Sequence, residues 1–208
     1  MARERGKRRL WRSEQHCQSS LCILLPTMPR LQITDAYSHM FGEAVLDQLH
    51  AGLKREVIRI ITSTAIAPAT KRSREKTKKG RTVWSGKDFN RPLSQAFRSQ
   101  GWGKRKIFFP AQDRYFIDVD FAKSGVALEM QFGKYAFVQH DFSKFRYLFE
   151  EGDPEARVDV GIELVPSGSL QRRMYTGPAN FDSVVASLLA HARNDPAVPI
   201  WLIAIDVQ

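Results

Sequence analysis

The chain of 208 residues contains only two cysteines, Cys17 and Cys22, and both lie near its beginning. Two neighbouring cysteines cannot build a disulfide framework, and no histidine stands near them at the spacing of a zinc ligand. This cysteine usage excludes a disulfide-rich domain and a zinc module. It is typical of a protein of the reducing cytoplasm, which is the location we expect.

Long apolar runs are also missing. No window approaches the roughly 18 consecutive apolar residues that a membrane-spanning helix needs, so the sequence excludes a membrane-spanning protein. The five histidines are scattered and form neither an HxH nor an HExxH pattern, which excludes metal sites of those two kinds. The sequence has no internal repeat.

Positive charge is what the chain has in excess. It carries 32 Lys and Arg against 22 Asp and Glu, a formal net charge of +10. Such an excess indicates a polyanionic partner, nucleic acid first and an anionic membrane surface second. With 43% hydrophobic and 11% aromatic residues the chain can bury a core, which excludes wholesale disorder.

The first 27 residues differ from the rest. They hold six basic and two acidic residues, and their apolar stretch over residues 21–25 is too short for a secretory signal. Met28 is a plausible alternative start. We therefore expect residues 1–27 to be a disordered basic extension or an artefact of an upstream start, and residues 28–208 to form a single domain.

The hydrophobic pattern predicts helices and strands in mixed order. The pattern predicts one long helix over residues 35–61, followed by a loop over residues 63–92, because an apolar stripe recurs at every fourth position: Val45, Leu49, Leu53, Val57 and Ile61. Further along, the pattern predicts helices over 93–100, 142–149 and 181–189, strands over 107–109, 115–121, 126–132, 158–165 and 200–205, and a loop over 166–178. This order is that of an α/β or α+β domain.

Residues 71–81 contain seven basic residues and one acid. Such a run is usually a solvated, mobile segment. Its best functional interpretation is an arm that neutralises DNA phosphates and becomes ordered on binding. Lys78, Lys79 and Arg81 are the candidate contacts.

A predicted hairpin places acidic side chains together. Asp118 and Asp120 share one face of the first strand, Glu129 and Gln131 share a face of the second, and residues 122–125 suit a tight turn. The alternate apolar positions, 117, 119, 121, 128, 130 and 132, are expected to face the core. We expect at least one Asp to approach Glu129, with no Lys or Arg on that face. Because two converging carboxylates repel each other, we expect a divalent cation between them, most naturally Mg²⁺. The alternative is that these acids only occupy solvent-facing positions of an edge hairpin.

A D…E-x-K pattern across a hairpin is the signature of the PD-(D/E)xK nucleases, and here Gln131 stands at the Lys position. Residues 117–121 and 129–135 follow the pattern D-x-D-F…E-x-Q-F-x-x-Y and closely resemble the BglII/BstYI group of type II restriction endonucleases. Over roughly residues 30–208 the resemblance implies an α/β fold of the restriction-endonuclease-like (PD-(D/E)xK) type, with a mixed central sheet flanked by helices.

The resemblance also implies roles. Asp120 and Glu129 match the metal-ligating carboxylates, Gln131 matches the third catalytic position, and Asp118 is a second candidate ligand. An asparagine that the group places before the hairpin has no counterpart in residues 102–106. The implied activity is that of a Mg²⁺-dependent type II site-specific deoxyribonuclease, a homodimer that cuts double-stranded DNA at a short palindrome. Relatives recognise palindromes with a GATC core.

Base recognition is expected in the major groove. Lys134 matches a base-reading position of the group, and residues 167–177, with Arg172, Arg173 and Thr176, match its second recognition loop. Each arginine could instead contact only phosphate. Dimerisation does not follow from the sequence, although the stripe on the predicted 35–61 helix could serve it if it is not core.

Two other functions remain open at this point. One is a structure-specific DNA repair nuclease of the same fold, and the other is a non-catalytic basic module that binds nucleic acid. The paired carboxylates argue against the binding module, because acids beside phosphates cost affinity unless a metal intervenes.

Overall fold

The computed structural model describes residues 28–67, 70–109, 112–150, 157–175, 177–190 and 195–208. The expectation for residues 1–27 therefore lies outside the described residues. The strands are β1 (Leu31–His39), β2 (Thr70–Arg72), β3 (Thr82–Trp84), β4 (Gly103–Phe109), β5 (Gln112–Lys123), β6 (Val126–Met130), β7 (Val160–Pro166) and β8 (Ile200–Val207). The helices are α1 (Gly42–Leu49), α2 (Ala51–Ser63), α3 (Gly86–Ser99), α4 (Ala136–Glu150), α5 (Gly168–Arg173) and α6 (Phe181–Ala190), with a 3₁₀ turn over Lys76–Lys78.

Six strands form the central sheet in the order β1-β8-β7-β6-β5-β4, and β2 pairs with β3 in a separate hairpin. The pairs β6–β7 and β7–β8 are parallel, whereas β1–β8, β4–β5 and β5–β6 are antiparallel. The sheet is therefore mixed, as the resemblance implies.

Helices cover both faces of this sheet. Buried side chains of α1, α2 and α3 pack on one face, and those of α4 and α6 pack on the other. Strand β6 shows the alternation: Val126, Leu128 and Met130 join the α1–α3 layer, whereas Ala127 joins the α4/α6 layer. Burying each large apolar side chain stabilises the fold by about 1.5–3 kcal/mol. Glu129, an acid at an equally buried position of β6, is thus the exception to be explained.

The predicted long helix over residues 35–61 is wrong in two places. Residues 35–39 belong to β1, which pairs with β8 along its length. The remainder is split at His50, whose backbone (φ −134°, ψ 30°) leaves the helical region. Pairing of β1 with the buried β8 outweighs the helical spacing of the apolar residues, and Leu49, counted in the predicted stripe, is 65% exposed.

The two predicted loops are also partly wrong. Residues 63–92 contain the β2–β3 hairpin and the first half of α3, where Pro92 lies inside the helix. Phe89, Leu93 and Phe97 of α3 are fully buried, and this packing outweighs the roughly 3 kcal/mol that an internal proline costs. Residues 166–178 contain α5, whose N-terminus is capped by the Ser167 hydroxyl, which accepts from the Leu170 amide.

The hairpin of β5 and β6 is confirmed. Phe121 lies opposite Leu128 and Lys123 lies opposite Val126. The two residues between the strands, Ser124 and Gly125, have φ of 44° and 80°. Two consecutive positive φ angles are typical of the two-residue turns that match the twist of antiparallel strands.

Candidate active site and DNA-binding surface

Strand β5 is irregular where the acidic residues lie. Its pairing with β4 passes from Arg105–Val119 to Gly103–Ala122, so β5 carries one extra residue there. Val119 consequently packs in the α4/α6 layer and Phe121 in the α1–α3 layer, which corrects the expectation that they share a face. The half-buried Asp120 turns towards β6, where its Oδ2 accepts from the Met130 amide at 3.4 Å.

Glu129 lies beneath α4 and is paired with a lysine. The ammonium of Lys144 donates to Glu129 Oε1 at 2.5 Å and to Asp141 Oδ1 at 2.7 Å, and all three side chains are at least 90% buried. The expectation that no Lys or Arg lies on this face is therefore wrong. The sequence pattern of the hairpin could not reveal Lys144, because it comes from a helix that only the tertiary fold brings to the strand.

Gln131 lies just beyond the end of β6, and both ends of its amide are engaged. Its Nε2 donates to Asp141 Oδ2 at 2.9 Å, and its Oε1 accepts from the Gly133 amide at 3.0 Å. Gln131 thus joins Asp141 to the segment that follows the hairpin. One N–H and one lone pair of the amide remain for another partner.

A further acid, Glu163, lies on β7 directly opposite Glu129 in the parallel pairing. Its side chain is completely buried, and neither carboxyl oxygen has a hydrogen-bond partner among the described residues. Burial, reinforced by Asp141 and Glu129, raises the pKa of Glu163 well above its ordinary value. Burying an acid that has no hydrogen-bond partner costs free energy. A buried acid with a strongly shifted pKa is typical of a functional site.

Five neighbouring side chains are called the acid cluster below, and its acids outnumber its cation: Asp120, Glu129, Asp141, Glu163 and Lys144. Burial and then the neighbouring Asp120 and Asp141 raise the pKa of Glu129 to about 8, against the opposing effect of Lys144. Burial disfavours the charged form of Lys144, but attraction by Glu129 and Asp141 outweighs it and raises the pKa of this lysine. Further positive charge is needed for all the acids to be ionised together at neutral pH.

Asp118 is held differently. Its Oδ2 lies 2.6 Å from the ammonium of Lys104 on β4, and both side chains are more than a third exposed. The hydrogen bond from Lys104 lowers the pKa of Asp118, whereas Glu129 shows the opposite shift. Asp118 is therefore paired at the surface, beside the buried cluster.

Asp120 and Glu129 are the pair that could hold a metal ion. Among the residues that the structure describes, no three His, Cys, Asp or Glu side chains form a group able to hold a metal ion. Mg²⁺ does not need such a cage, because it is commonly bound through one or two carboxylates, with water and substrate phosphate as the other ligands. Two oxygen donors in an acid-rich cluster fit this ion.

The β2–β3 hairpin packs against the end of α5. Lys78 donates to the main-chain oxygen of Met174 at 2.7 Å and to that of Arg172 at 3.4 Å. Met174 forms a parallel bridge with Trp84, and the guanidinium of Arg173 lies 5.3 Å from the centre of the Trp84 ring. The basic segment is therefore part of a folded hairpin that supports the predicted recognition loop, which corrects its prediction as a loop.

Lys134 joins the same surface. The amide of Tyr135 donates to the Gly177 oxygen at 2.9 Å, which brings Lys134 beside the segment after α5. The exposed cations Lys79, Arg81, Lys134, Arg172 and Arg173 are called the basic surface below. Lys78 is half-buried and engaged with the chain itself, and Thr176 lies outside the described residues.

Three residues of the acid cluster escaped the sequence reasoning: Asp141, Lys144 and Glu163. The only available signal was the D-x-x-K spacing of Asp141 and Lys144 in α4, which places an acid and a base on one helix face. In the sequence, Glu163 occupies a position of the predicted 158–165 strand that alternates with apolar residues, as a surface residue would. It is buried because β7 pairs in parallel with β6 on one side and β8 on the other.

Within the described ranges, no helix has both the length and the apolar character that crossing a bilayer requires.

Comparisons with known proteins agree with this arrangement. A family model described as Restriction endonuclease BglII/BglIII matches residues 34–205. No curated protein matches the sequence. The crystal structure of BglII complexed with a DNA 16-mer is similar with a TM-score of 0.69 and 17% identity, over 84% of this chain and 77% of that chain. Free BglII is similar with a TM-score of 0.52 and 15% identity, over 84% and 78% of the two chains.

At these identities the two solved structures show the fold, and they confirm the predicted mixed sheet flanked by helices. The family match covers most of the chain and carries the activity. Members of this family generally use a divalent metal ion. The chain therefore belongs to the BglII/BglIII family of restriction endonucleases and is a type II site-specific deoxyribonuclease.

Proposed function

We propose that this protein hydrolyses double-stranded DNA at a short palindrome in a reaction that depends on Mg²⁺. Asp120 and Glu129 hold the ion, and Gln131 is the third catalytic residue. The observation that carries the proposal is the excess of acids around Glu129, where Asp120, Asp141 and Glu163 meet, close to the exposed Lys134 that follows Gln131 and Gly133. Acids so close to a DNA-binding surface would weaken binding unless a cation lay between them and the phosphates.

Hydrolysis of a phosphodiester requires an activated water, stabilisation of a more negative transition state and protonation of the 3′ leaving oxygen. When bound, Mg²⁺ lowers the pKa of water and spreads the developing negative charge. Gln131 cannot act as a base at neutral pH. Its remaining N–H and lone pair can orient a water, because Asp141 and the Gly133 amide fix the plane of its amide group.

The basic surface selects the DNA. Lys134, Arg172 and Arg173 are exposed, and the hydrogen bond from the Tyr135 amide to Gly177 joins the segment of Lys134 to the segment that follows α5. Lysine or arginine suits the O6 and N7 atoms of guanine in the major groove. Lys79 and Arg81 neutralise phosphates. Thr176 remains a DNA contact proposed by resemblance alone. BglII, similar in fold, was solved with DNA.

The finer assignments rest on the resemblance. We propose a palindrome with a GATC core, read by a homodimer in which each subunit cuts one strand. Residues 28–208 would form its single endonuclease domain, and the cytoplasm remains the expected location. Family membership favours restriction over the repair nuclease and over the non-catalytic binding module.

The test is digestion of phage DNA by the purified protein, with Mg²⁺ and with a chelator. We expect discrete fragments with Mg²⁺ and none with the chelator. Asp120→Asn should lose about 10³-fold in cleavage rate, whereas Glu150→Gln, an exposed carboxylate of α4, should cut like the wild type. A smear of fragments, or cutting only at DNA junctions, would favour the repair nuclease. If Asp120→Asn produced discrete fragments at the wild-type rate, Asp120 would not be a metal ligand and the proposed site would be wrong.

A further inference from the structure

The hairpin motif of this chain lacks a positive charge where the D…E-x-K pattern has one. Gln131 is neutral, and its amide is bound to Asp141 and to the Gly133 backbone. Lys104 on β4 is engaged with Asp118 and is 49% exposed. Lys144 is the buried lysine among the described residues of the acid cluster.

Lys144 reaches the hairpin through a closed set of contacts. Asp141 and Lys144 lie three residues apart on one face of α4, where Asp141 accepts from both Gln131 and Lys144. Lys144 in turn binds Glu129 on β6. Strand, helix and hairpin end are thus joined in the order Gln131, Asp141, Lys144, Glu129, and each link is a hydrogen bond between charged or amide groups.

The contact with Lys144 uses one carboxylate oxygen of Glu129. Oε1 accepts from the ammonium at 2.5 Å, which leaves Oε2 for a cation. A glutamate held in this way offers one oxygen in a defined direction, whereas a free glutamate can rotate or offer both oxygens. Lys144 is 8% exposed, so its ammonium has few alternative positions.

We propose that Lys144 is a positioning residue of the nuclease site, supplying from α4 the charge that position 131 lacks and orienting Glu129 towards the metal ion. This inference rests on the proposed function, because it requires Glu129 to be a metal ligand. The ammonium acts on the reaction through Glu129 and Asp141. It has the same charge as the lysine of the E-x-K pattern but reaches the site from the helix instead of the strand.

The test compares Lys144→Gln, Lys144→Arg and the double variant Gln131→Lys/Lys144→Gln, which returns the ammonium to the strand. Ser143→Ala, on the exposed side of α4, is the matched control. Plasmid cleavage with Mg²⁺ is measured beside calorimetric titration with Mn²⁺ in the absence of DNA. Thermal unfolding establishes that each variant is folded.

We expect Lys144→Gln to lose about 100-fold in cleavage rate, while Lys144→Arg retains most of it. The double variant should recover at least about tenfold over Lys144→Gln, since it restores the positive charge. Mn²⁺ should still bind Lys144→Gln, with an affinity within about tenfold of the wild type, because loss of the contact that orients Glu129 and loss of a repelling charge have opposite effects on metal affinity. A lysine that only supports the fold would give no recovery in the double variant.

Three results would overturn the inference: cleavage by Lys144→Gln within about threefold of the wild type, no recovery in the double variant, or loss of Mn²⁺ binding in Lys144→Gln. Glu129→Gln separates these results from failure of the proposed function. If Glu129→Gln still binds Mn²⁺ and cuts, the proposed metal site is wrong. If it does neither and Lys144→Gln is normal, only the role of Lys144 is wrong.

Discussion

The acid cluster and the basic surface both consist of charged residues, but the first is mostly buried and the second is exposed. In the acid cluster, Glu129, Asp141, Lys144 and Glu163 are buried between the sheet and α4, and their positions follow from packing. On the basic surface, the cations are exposed and lie on short elements and loops. Burial therefore fixes the geometry of the proposed metal site, and exposure leaves the proposed recognition groups accessible to DNA. Recognition can change in such a fold without disturbing the site of cleavage.

Lys78 is an exception within the basic segment. It carries the same charge as Lys79, but its ammonium binds main-chain oxygens at the end of α5. Ser167 holds the other end of α5, where its hydroxyl donates to the buried Asp206 at 2.6 Å. The helix that carries Arg172 and Arg173 is therefore fixed at both ends by buried or half-buried groups.

The largest effect on the basic surface is expected from Arg173→Ala. Because we propose that the Arg173 guanidinium reads a base, its loss should weaken binding of the cognate site by about 1–3 kcal/mol and relax the sequence preference there. Competition binding between cognate and random duplexes measures it, with the exposed Lys87→Ala of α3 as control. Equal weakening on both duplexes would mean that Arg173 contacts only phosphate.

A stabilising effect is expected in the acid cluster from Glu163→Gln. Removing an ionisable group that has no partner among the described residues should raise the free energy of unfolding by about 1–2 kcal/mol at neutral pH. Because the folded-state pKa is raised, the native state binds more protons than the unfolded chain, so wild-type stability falls as pH rises above the ordinary glutamate value. The gain should therefore be small near pH 4 and larger near pH 8.

Denaturant unfolding at several pH values measures this gain. Glu56→Gln is the matched control, since the Glu56 carboxylate accepts from Trp102 Nε1 and Lys123 Nζ and its pKa is lowered. That substitution should destabilise the protein above the ordinary glutamate pKa, the opposite sign. A loss of stability in Glu163→Gln at neutral pH would mean that the buried acid has a partner that holds it.

The smallest effect distinguishes Lys78 from Lys79. Lys79→Ala should weaken DNA binding on all sequences and reduce the slope of log affinity against log salt by about 1, as loss of one phosphate contact does. Lys78→Ala should leave that slope nearly unchanged and reduce the preference for the cognate site, because α5 loses its support. Salt titrations on cognate and random duplexes separate the two, and identical behaviour would contradict the distinction.

The sequence was sufficient for the hairpin because two local signals agree there. Apolar residues alternate along β6, and a Gly follows the position where the strands must turn. The same alternation placed Glu129 on the face opposite to Leu128 and Met130, which is the basis of the candidate site. The bulge in β5 was not predictable, since it depends on pairing with β4.

The contact of Lys144 with Glu129 could not be derived from the sequence. Phe142, Phe145 and Leu148 predict a helix with an apolar face, but nothing local says which strands that face covers. In the same way, the many charges of residues 71–81 favoured the prediction of a loop where β2 and β3 form a hairpin. The few apolar side chains of that hairpin, Val83 and Trp84, pack inward. Both failures concern which elements meet, a property of the whole fold.

Cleavage and binding by Glu129→Gln on the same plasmid test the division between the two regions most directly. Without added metal, the variant should bind DNA at least as tightly as the wild type, because the proposed DNA contacts lie on the basic surface and the substitution adds no negative charge beside the phosphates. With Mg²⁺, its cleavage rate should fall by about 10³-fold. Wild-type cleavage by this variant, or a parallel loss of binding and cleavage, would contradict the account.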